Sequence, residues 1–261
     1  MPDLWLKDKY IGSIKGVLFD KDGTLSDSES FLVNLAKQRV KRILCNTTNS
    51  TNQDLIKYNL KKAYGIENHF IDPNGIIAIA SEEHNAIATA TILSLAGENW
   101  PDAIQITKDS FKEASKKLQE DSALNENRRR LLPGAIKVLK ALKDHGAINS
   151  LISNDSRNGI RDFLASNNIN HIFSKFWSCE ENPPKPDPDA VKGLCNMMNL
   201  HPSECALLGD ADSDLTMAKD AGIGIVIGFT AGWTQKPELK AHDYLINNWN
   251  ELTTQQKTKV T

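Results

Sequence analysis

In Val17-Leu18-Phe19-Asp20-Lys21-Asp22-Gly23-Thr24-Leu25 a short apolar run ends abruptly in two carboxylates, a glycine and a threonine. Ile14 to Phe19 reads as a buried strand, because β-branched and aromatic residues between polar punctuation suit a parallel sheet covered on both faces. Asp20 then stands at the strand's carboxyl end, the edge at which open α/β sheets bind ligands. Gly23 lets the backbone turn sharply there, and in a turn Asp20 and Asp22 converge on one small volume. Like charges 4 Å apart repel by about 4 kcal/mol at an effective dielectric near 20, so a divalent cation or a proton on one carboxyl must offset the repulsion. Taken alone, the motif also reads as a solvated Asp-x-Asp-Gly turn.

After Leu25 the chain changes character. Ser26 and Glu29, followed by Phe31 and Leu32, read as a capping-box start to a helix running toward Leu44. Further helical patterns run from about Gln53 to Tyr64, from about Ile76 to Ala96, and onward from Pro101, with Gly65 and Gly97 as stops. No strand is expected between about residues 27 and 131. The alternating pattern resumes at Pro133-Gly134: helix Ala135 to His145, strand Ala147 to Ile152, helix Arg157 to Ser166, an irregular stretch, helix Asp187 to Met198, strand Cys205 to Leu208, helix Leu215 to Asp220, and strand Ile223 to Ile227. Tyr244 to Ile246 reads as a last, edge strand. Such strand-helix units imply a doubly wound parallel sheet, interrupted after its first strand by a helical block that the sequence sets beside the site as a lid.

Composition narrows the classes. A 261-residue chain buries a substantial core, and a formal net charge of -2 leaves no electrostatic footprint for nucleic acid. Arg128-Arg129-Arg130 is too short a run for polyanion binding and reads as a solvated helix end. Cys45, Cys179, Cys195 and Cys205 lack a CxxC pair, which argues against zinc and a disulfide framework and for the reduced thiols of a cytoplasmic protein. No run reaches the length of a membrane span, Met1 to Tyr10 lacks a signal-peptide core, and the sequons at Asn46 and Asn49 then mark only a polar loop. Nothing in the sequence sets an oligomeric state.

The other strand ends carry chemistry. Ser153-Asn154 offers a hydroxyl and an amide to phosphate oxygens, although Ser-Asn-Asp alone reads as helix capping. Lys185, held among prolines in Pro183-Pro184-Lys185-Pro186-Asp187-Pro188, suits a point charge aimed at a phosphoryl group or a carboxylate pair; a solvated loop lysine is the commoner fate. Gly209-Asp210-Ala211-Asp212-Ser213-Asp214 fails as a calcium loop, with Leu215 where glycine is needed and Ala221 where glutamate is needed. Asp210 is placed to join Asp20 around a hard cation, Asp214 returns to the same spot one helical turn later, and Asp212 points away to cap the helix. Magnesium suits so sparse a carboxylate set.

FDKDGTL, the Ser153-Asn154 strand end, Lys185 in PPKPDP and GDADSD, in that order, resemble the four motifs of the haloacid dehalogenase (HAD) superfamily. Leu132-Pro133-Gly134 and the Ala-Gly-Ile after the acidic motif are similar to its phosphoglycolate phosphatase-like subgroup. The resemblance implies a Rossmann-like α/β core of residues 1–26 and 132–261, with an all-helical cap inserted at residues 27–131. It implies a magnesium-dependent phosphatase acting on a small phosphorylated metabolite, phosphoglycolate-like or a sugar phosphate, through an aspartyl phosphate. Asp20 would be the nucleophile, Asp22 the acid and then the base, and Lys185 the stabiliser of phosphoryl charge. Thr24, Ser153 and Asn154 would bind substrate; Asp20, Asp210 and the backbone carbonyl of Asp22 would hold Mg2+, with Asp214 in support. A phosphomutase is the nearest alternative, and a phospho-acceptor signalling domain or a noncatalytic sugar-phosphate binder are more distant ones. Arg39, Arg42, Lys57, Lys61, His69 and His84 are the residues of the insert able to meet a distal anionic group, with His84 preferred as a packed core histidine.

Overall fold

The computed structural model describes residues 1–47, 52–67, 69–122 and 129–256. The chain divides into two compact units, Met1–Asp27 with Arg130–Thr261, and Ser28–Arg129.

The first unit opens with β1 (Pro2–Leu6), β2 (Lys9–Ser13), β3 (Gly16–Phe19) and the two-residue β4 (Ser26–Asp27). The second contains α1 (Glu29–Asn46), α2 (Gln53–Tyr64), β5 (Ile66–Glu67), β6 (Phe70–Ile71), α3 (Ile76–Ile79), α4 (Glu82–Leu95) and α5 (Trp100–Ser122). The first then resumes with β7 (Arg130–Leu131), α6 (Ala135–Asp144), β8 (Ile148–Ile152), α7 (Arg157–Ser166), β9 (Phe173–Trp177) and α8 (Pro188–Met197). It ends with β10 (Cys205–Gly209), α9 (Asp212–Asp220), β11 (Ile225–Phe229), β12 (Tyr244–Ile246) and β13 (Leu252–Gln256).

Six strands form one sheet in the order β12-β11-β10-β3-β8-β9, every neighbouring pair parallel. The chain fills the sheet outward from β3 through β8 to β9, then crosses to β10 on β3's other side. Strand order therefore reverses at β3, and a crevice opens at its carboxyl end. All four residues of β3 are buried. Val17 and Phe19 face a core built with α6 and α7, whereas Leu18 faces one built with α8 and α9. Covering of both faces explains the unbroken apolar run of the sequence.

Several expectations are corrected. Phe173 to Trp177 is an edge strand, not an irregular stretch; its exposed Ser174 and Lys175 interrupt the apolar pattern. Tyr244 to Ile246 is an edge strand but not the last, because β13 follows and joins β1 and β2 in an antiparallel sheet of three. Ser26 does not cap α1. It lies in β4, buried and paired with Leu131, while Ser28 occupies the cap position and Glu29 accepts a hydrogen bond from the Ile71 amide. The helix expected over Ile76 to Ala96 is two helices, broken at Ala80 and Ser81 where the Ser81 hydroxyl caps α4. Short strands β5 and β6 pair within the block expected to be purely helical. Two residues each is too little for an alternating signal.

In the helical unit Arg39 is enclosed, not offered to a ligand: its guanidinium stacks 3.8 Å over Phe111 and bonds Glu82 at 2.7 Å. His84 is exposed in the first turn of α4, contrary to its expected burial, as are Lys57, Lys61 and His69, and Arg42 pairs with Glu113. Arg129 lies over Phe31, and Arg128 falls outside the described residues, as do residues 48–51 of the sequon loop. No helix among the described residues is long and apolar enough to cross a membrane.

Trp249 ties the core to the start of the first motif. It is fully buried, stacks on Phe229 at 5.0 Å, meets Phe19 at 6.1 Å and donates its indole N–H to the Thr24 carbonyl at 3.2 Å. Trp249→Ala is expected to lower the free energy of unfolding by about 4 kcal/mol, as read from urea denaturation.

Candidate active site

Register fixes where each acid emerges. Phe19 pairs with Leu208 of β10 and with Leu151 of β8, so Asp20 is level with Gly209 and Ile152. Asp210 and Ser153 follow one residue further on, at the same edge. The Asp20 amide donates to the Leu208 carbonyl at 2.9 Å, which extends the ladder to the last residue before the turn. Lys185 arrives from the loop after β9. That loop is pinned by the Trp177 indole bonding the Pro183 carbonyl at 2.9 Å and by Asp187 capping α8; the peptides before Pro183 and Pro186 are cis.

The Lys185 ammonium is buried and donates to Asp20 Oδ1 at 2.7 Å, to Asp214 Oδ2 at 2.8 Å and to the Ile152 carbonyl at 3.4 Å. Asp210 Oδ1 accepts from the Thr24 hydroxyl at 2.8 Å, and Asp210 Oδ2 from the Trp233 indole. Asp20, Thr24, Lys185, Asp210 and Asp214 are thus brought together. Ser153, also buried, uses its hydroxyl to accept the Asp155 amide at 3.1 Å, and Asn154 follows it on the same turn. The carboxylate of Asp22 is ion-paired with Lys21. Asp212 turns away as expected, but it accepts the amides of Lys240 and Ala241, at 2.7 and 3.0 Å, and Ala211 takes the cap position of α9.

Backbone shape is as specific as the side chains. Gly23 has φ of +79°, and a Cβ there would overlap Asp210 Oδ2 and the Trp233 indole. A Cβ on Gly232 would overlap the Gly23 carbonyl. The loop after β11 therefore closes directly against the first motif, and only glycines permit the approach.

Three carboxylates, Asp20, Asp210 and Asp214, are buried at this edge, and the Lys185 ammonium contacts two of them, Asp20 and Asp214. The electrostatic consequences follow from that imbalance. Burial, then the charge of Asp20, push the Asp210 carboxyl well above its ordinary range, against the hydrogen bonds from Trp233 and Thr24. Burial raises Asp214 to about 6 despite the pull of Lys185. Burial alone would lower Lys185, but Asp20 and Asp214 outweigh it and hold the ammonium above its usual range. An all-oxygen donor set with surplus negative charge fits a hard divalent cation. Among the described residues no three His, Cys, Asp or Glu side chains converge as a metal cluster, so carboxylates from Asp20 and Asp210 would be completed by other oxygens.

Comparison with known proteins gives this geometry a context. The haloacid dehalogenase-like hydrolase family model matches residues 14–222. The chain belongs to that family. Among curated relatives it is similar to the phosphoglycolate phosphatase of Haemophilus influenzae, 27% identical over 128 residues, covering 48% of this chain and 57% of that one. It is likewise similar to that of Mannheimia succiniciproducens, 28% identical over 126 residues, covering 47% of this chain and 56% of that one. The matches thus span little more than half the length of these relatives. Solved structures extend the likeness in fold to nearly the whole chain. A predicted phosphoglycolate phosphatase from Haemophilus somnus superposes with a TM-score of 0.67 at 22% identity, covering 90% of this chain and 95% of that one. A HAD-superfamily hydrolase from Geobacter sulfurreducens gives 0.56 at 17% identity, covering 91% and 94%.

Sequence reasoning missed Trp233, Lys21 and Asp155. A tryptophan in a Gly-rich loop gives no sign of its partner, and the signal available for Lys21 was a cation placed between two acids.

The raised Asp214 has a testable sign. An unfolded aspartate releases its proton near pH 3.8, whereas the folded one keeps it to about 6. Over that window the folded state binds more protons, so its stability falls as pH rises. In urea titrations without divalent cations, the wild type should lose stability relative to Asp214→Asn between about pH 4 and 6. Parallel curves would place the titration on another group.

Proposed function

We propose that this protein is a divalent-cation-dependent phosphatase of a small phosphomonoester, phosphoglycolate-like or a sugar phosphate, working through an aspartyl phosphate on Asp20. The observation that carries the reading is the buried ammonium of Lys185 bonded at once to Asp20 and Asp214, with the buried carboxylate of Asp210 near Asp20. A structural ion pair needs only one partner acid; a surplus of buried carboxylate at a strand-order reversal is what a phosphoryl-transfer site requires.

In the first step an Asp20 oxygen attacks phosphorus while the bond to the leaving alkoxide breaks and Asp22 supplies its proton. Lys185 holds Asp20 Oδ1, which fixes the carboxylate for approach by its other oxygen and balances charge gathering on the phosphoryl group. In the second step Asp22 takes a proton from water, the water oxygen attacks phosphorus, and Asp20 leaves as a carboxylate with phosphate released. Ser153 and Asn154 are assigned to the phosphate; Thr24, expected to join them, is fully buried and spends its hydroxyl proton on Asp210, so its part is to hold that carboxylate. Asp20, Asp210 and the Asp22 carbonyl are assigned to a magnesium ion. When bound, such an ion supplies positive charge that screens the nucleophile from the phosphate. Asp210 is oriented for this by Thr24 and Trp233, and Asp214 steadies Lys185. The helical unit is assigned as the cap, core residues 1–26 and 132–261 as the catalytic domain.

Phosphate release from a panel of phosphorylated metabolites, with and without magnesium, tests the reading. Multiple turnover that needs the cation is expected, with Asp20→Asn lowering kcat by about 10³-fold or more because an amide is a poor nucleophile. Asp210→Ala should raise the magnesium concentration needed for half-maximal rate by about tenfold or more. Stable phosphorylation without release would instead identify a phospho-acceptor domain.

A further inference from the structure

The proposed acid, Asp22, is held by a buried charge relay that the first-motif chemistry does not itself require. Lys21, between the two motif aspartates, has no exposed surface, and its ammonium lies 5.6 Å over the ring of Phe163 in α7. A lysine so enclosed is tolerated only when paired. Its partners are Asp22 and Asp155, the latter at 3.2 Å. Asp155 is anchored on several sides. Its amide donates to the Ser153 hydroxyl at 3.1 Å, its carbonyl accepts from the Cys179 amide at 3.1 Å, and its Oδ1 accepts from the Ser156 amide at 2.8 Å. Its other oxygen is the one facing Lys21.

A buried cation between two strand-end acids is costly as a structural device, since an apolar side chain of similar volume would fill the position without desolvating a charge. What the cation provides is a fixed location for a carboxylate that is itself partly exposed, with side-chain exposure of 20%. We infer that Lys21 and Asp155 are positioning residues that orient the Asp22 carboxylate for proton transfer to the leaving group. Asp155 fixes Lys21, and Lys21 fixes Asp22. The turn after β8 thereby governs the acid of the turn after β3, on top of its assigned contact with phosphate. This inference rests on the phosphatase reading and on Asp22 as its acid.

Leaving-group dependence is the readout. An alkyl phosphate needs a proton at its departing oxygen, whereas p-nitrophenyl phosphate does not, and kcat/KM reports only steps through formation of the phosphoenzyme. Asp155→Asn keeps the acceptor for Ser156 and removes the charge facing Lys21. It should lower kcat/KM for the alkyl ester by about tenfold while changing the nitrophenyl ester by less than about twofold. Lys21→Met should show the same selective loss, and the double variant should be no worse than Lys21→Met alone. Should Lys21→Met fail to fold, as judged by circular dichroism, Asp155→Asn decides by itself. Equal losses on both esters, or none, would overturn the positioning role while leaving the phosphatase reading intact, provided that Asp22→Asn still shows the selective loss. If Asp22→Asn shows none, or the wild type turns over neither ester, the functional reading fails and the relay falls with it.

Discussion

Everything at the carboxyl edge of the sheet depends on the neutralisation of too much negative charge in too little water. One ammonium, that of Lys185, serves two acids while a third lies close by. Such an arrangement is unfavourable as pure architecture, because each buried carboxylate sacrifices hydration and repels the others. It persists because strand order reverses at β3, which delivers Asp20 and Asp210 to adjacent strand ends whatever their mutual repulsion. The sheet supplies the compulsion, and the surplus negative charge it gathers suits a hard cation.

Rigidity has been invested where this charge is gathered. The loop bearing Lys185 is tied down by Trp177 and by the cap of α8, and both Asp210 oxygens receive donors, from Thr24 and Trp233. Gly23 and Gly232 allow two turns to approach more closely than any side chain would permit. Phosphoryl transfer relies mainly on placement and field, so under the proposed function backbone closeness of this kind would count as directly as the acids do.

How much of this was legible in the sequence follows from what each element buries. β3, β8, β10 and β11 are wholly or almost wholly enclosed, so their apolar runs announced them, and the acids after β3 and β10 and the serine after β8 stood out by contrast. β9 was obscured because an edge strand bears Ser174 and Lys175 on its open side. β13 owes its structure to pairing with β1, more than two hundred residues away, which no local window contains, while β2 joins the same sheet through a short turn from β1. Ser26 imitated a capping box because the same small polar residue also suits a buried strand pair. Lys21 escaped notice for a related reason: its burial is decided by Asp155 and Phe163, far away in the chain, and a lysine beside aspartates ordinarily reads as solvated.

The pairing of Ser26–Asp27 with Arg130–Leu131 has an architectural consequence. The chain leaves the sheet-bearing unit and re-enters it through two antiparallel segments hydrogen-bonded side by side, so the ends of the intervening hundred or so residues are held a strand's width apart, roughly 5 Å. A segment closed at its base in this way is a cassette. Its length and content are thereby separated from the register that aligns Asp20 with its neighbours.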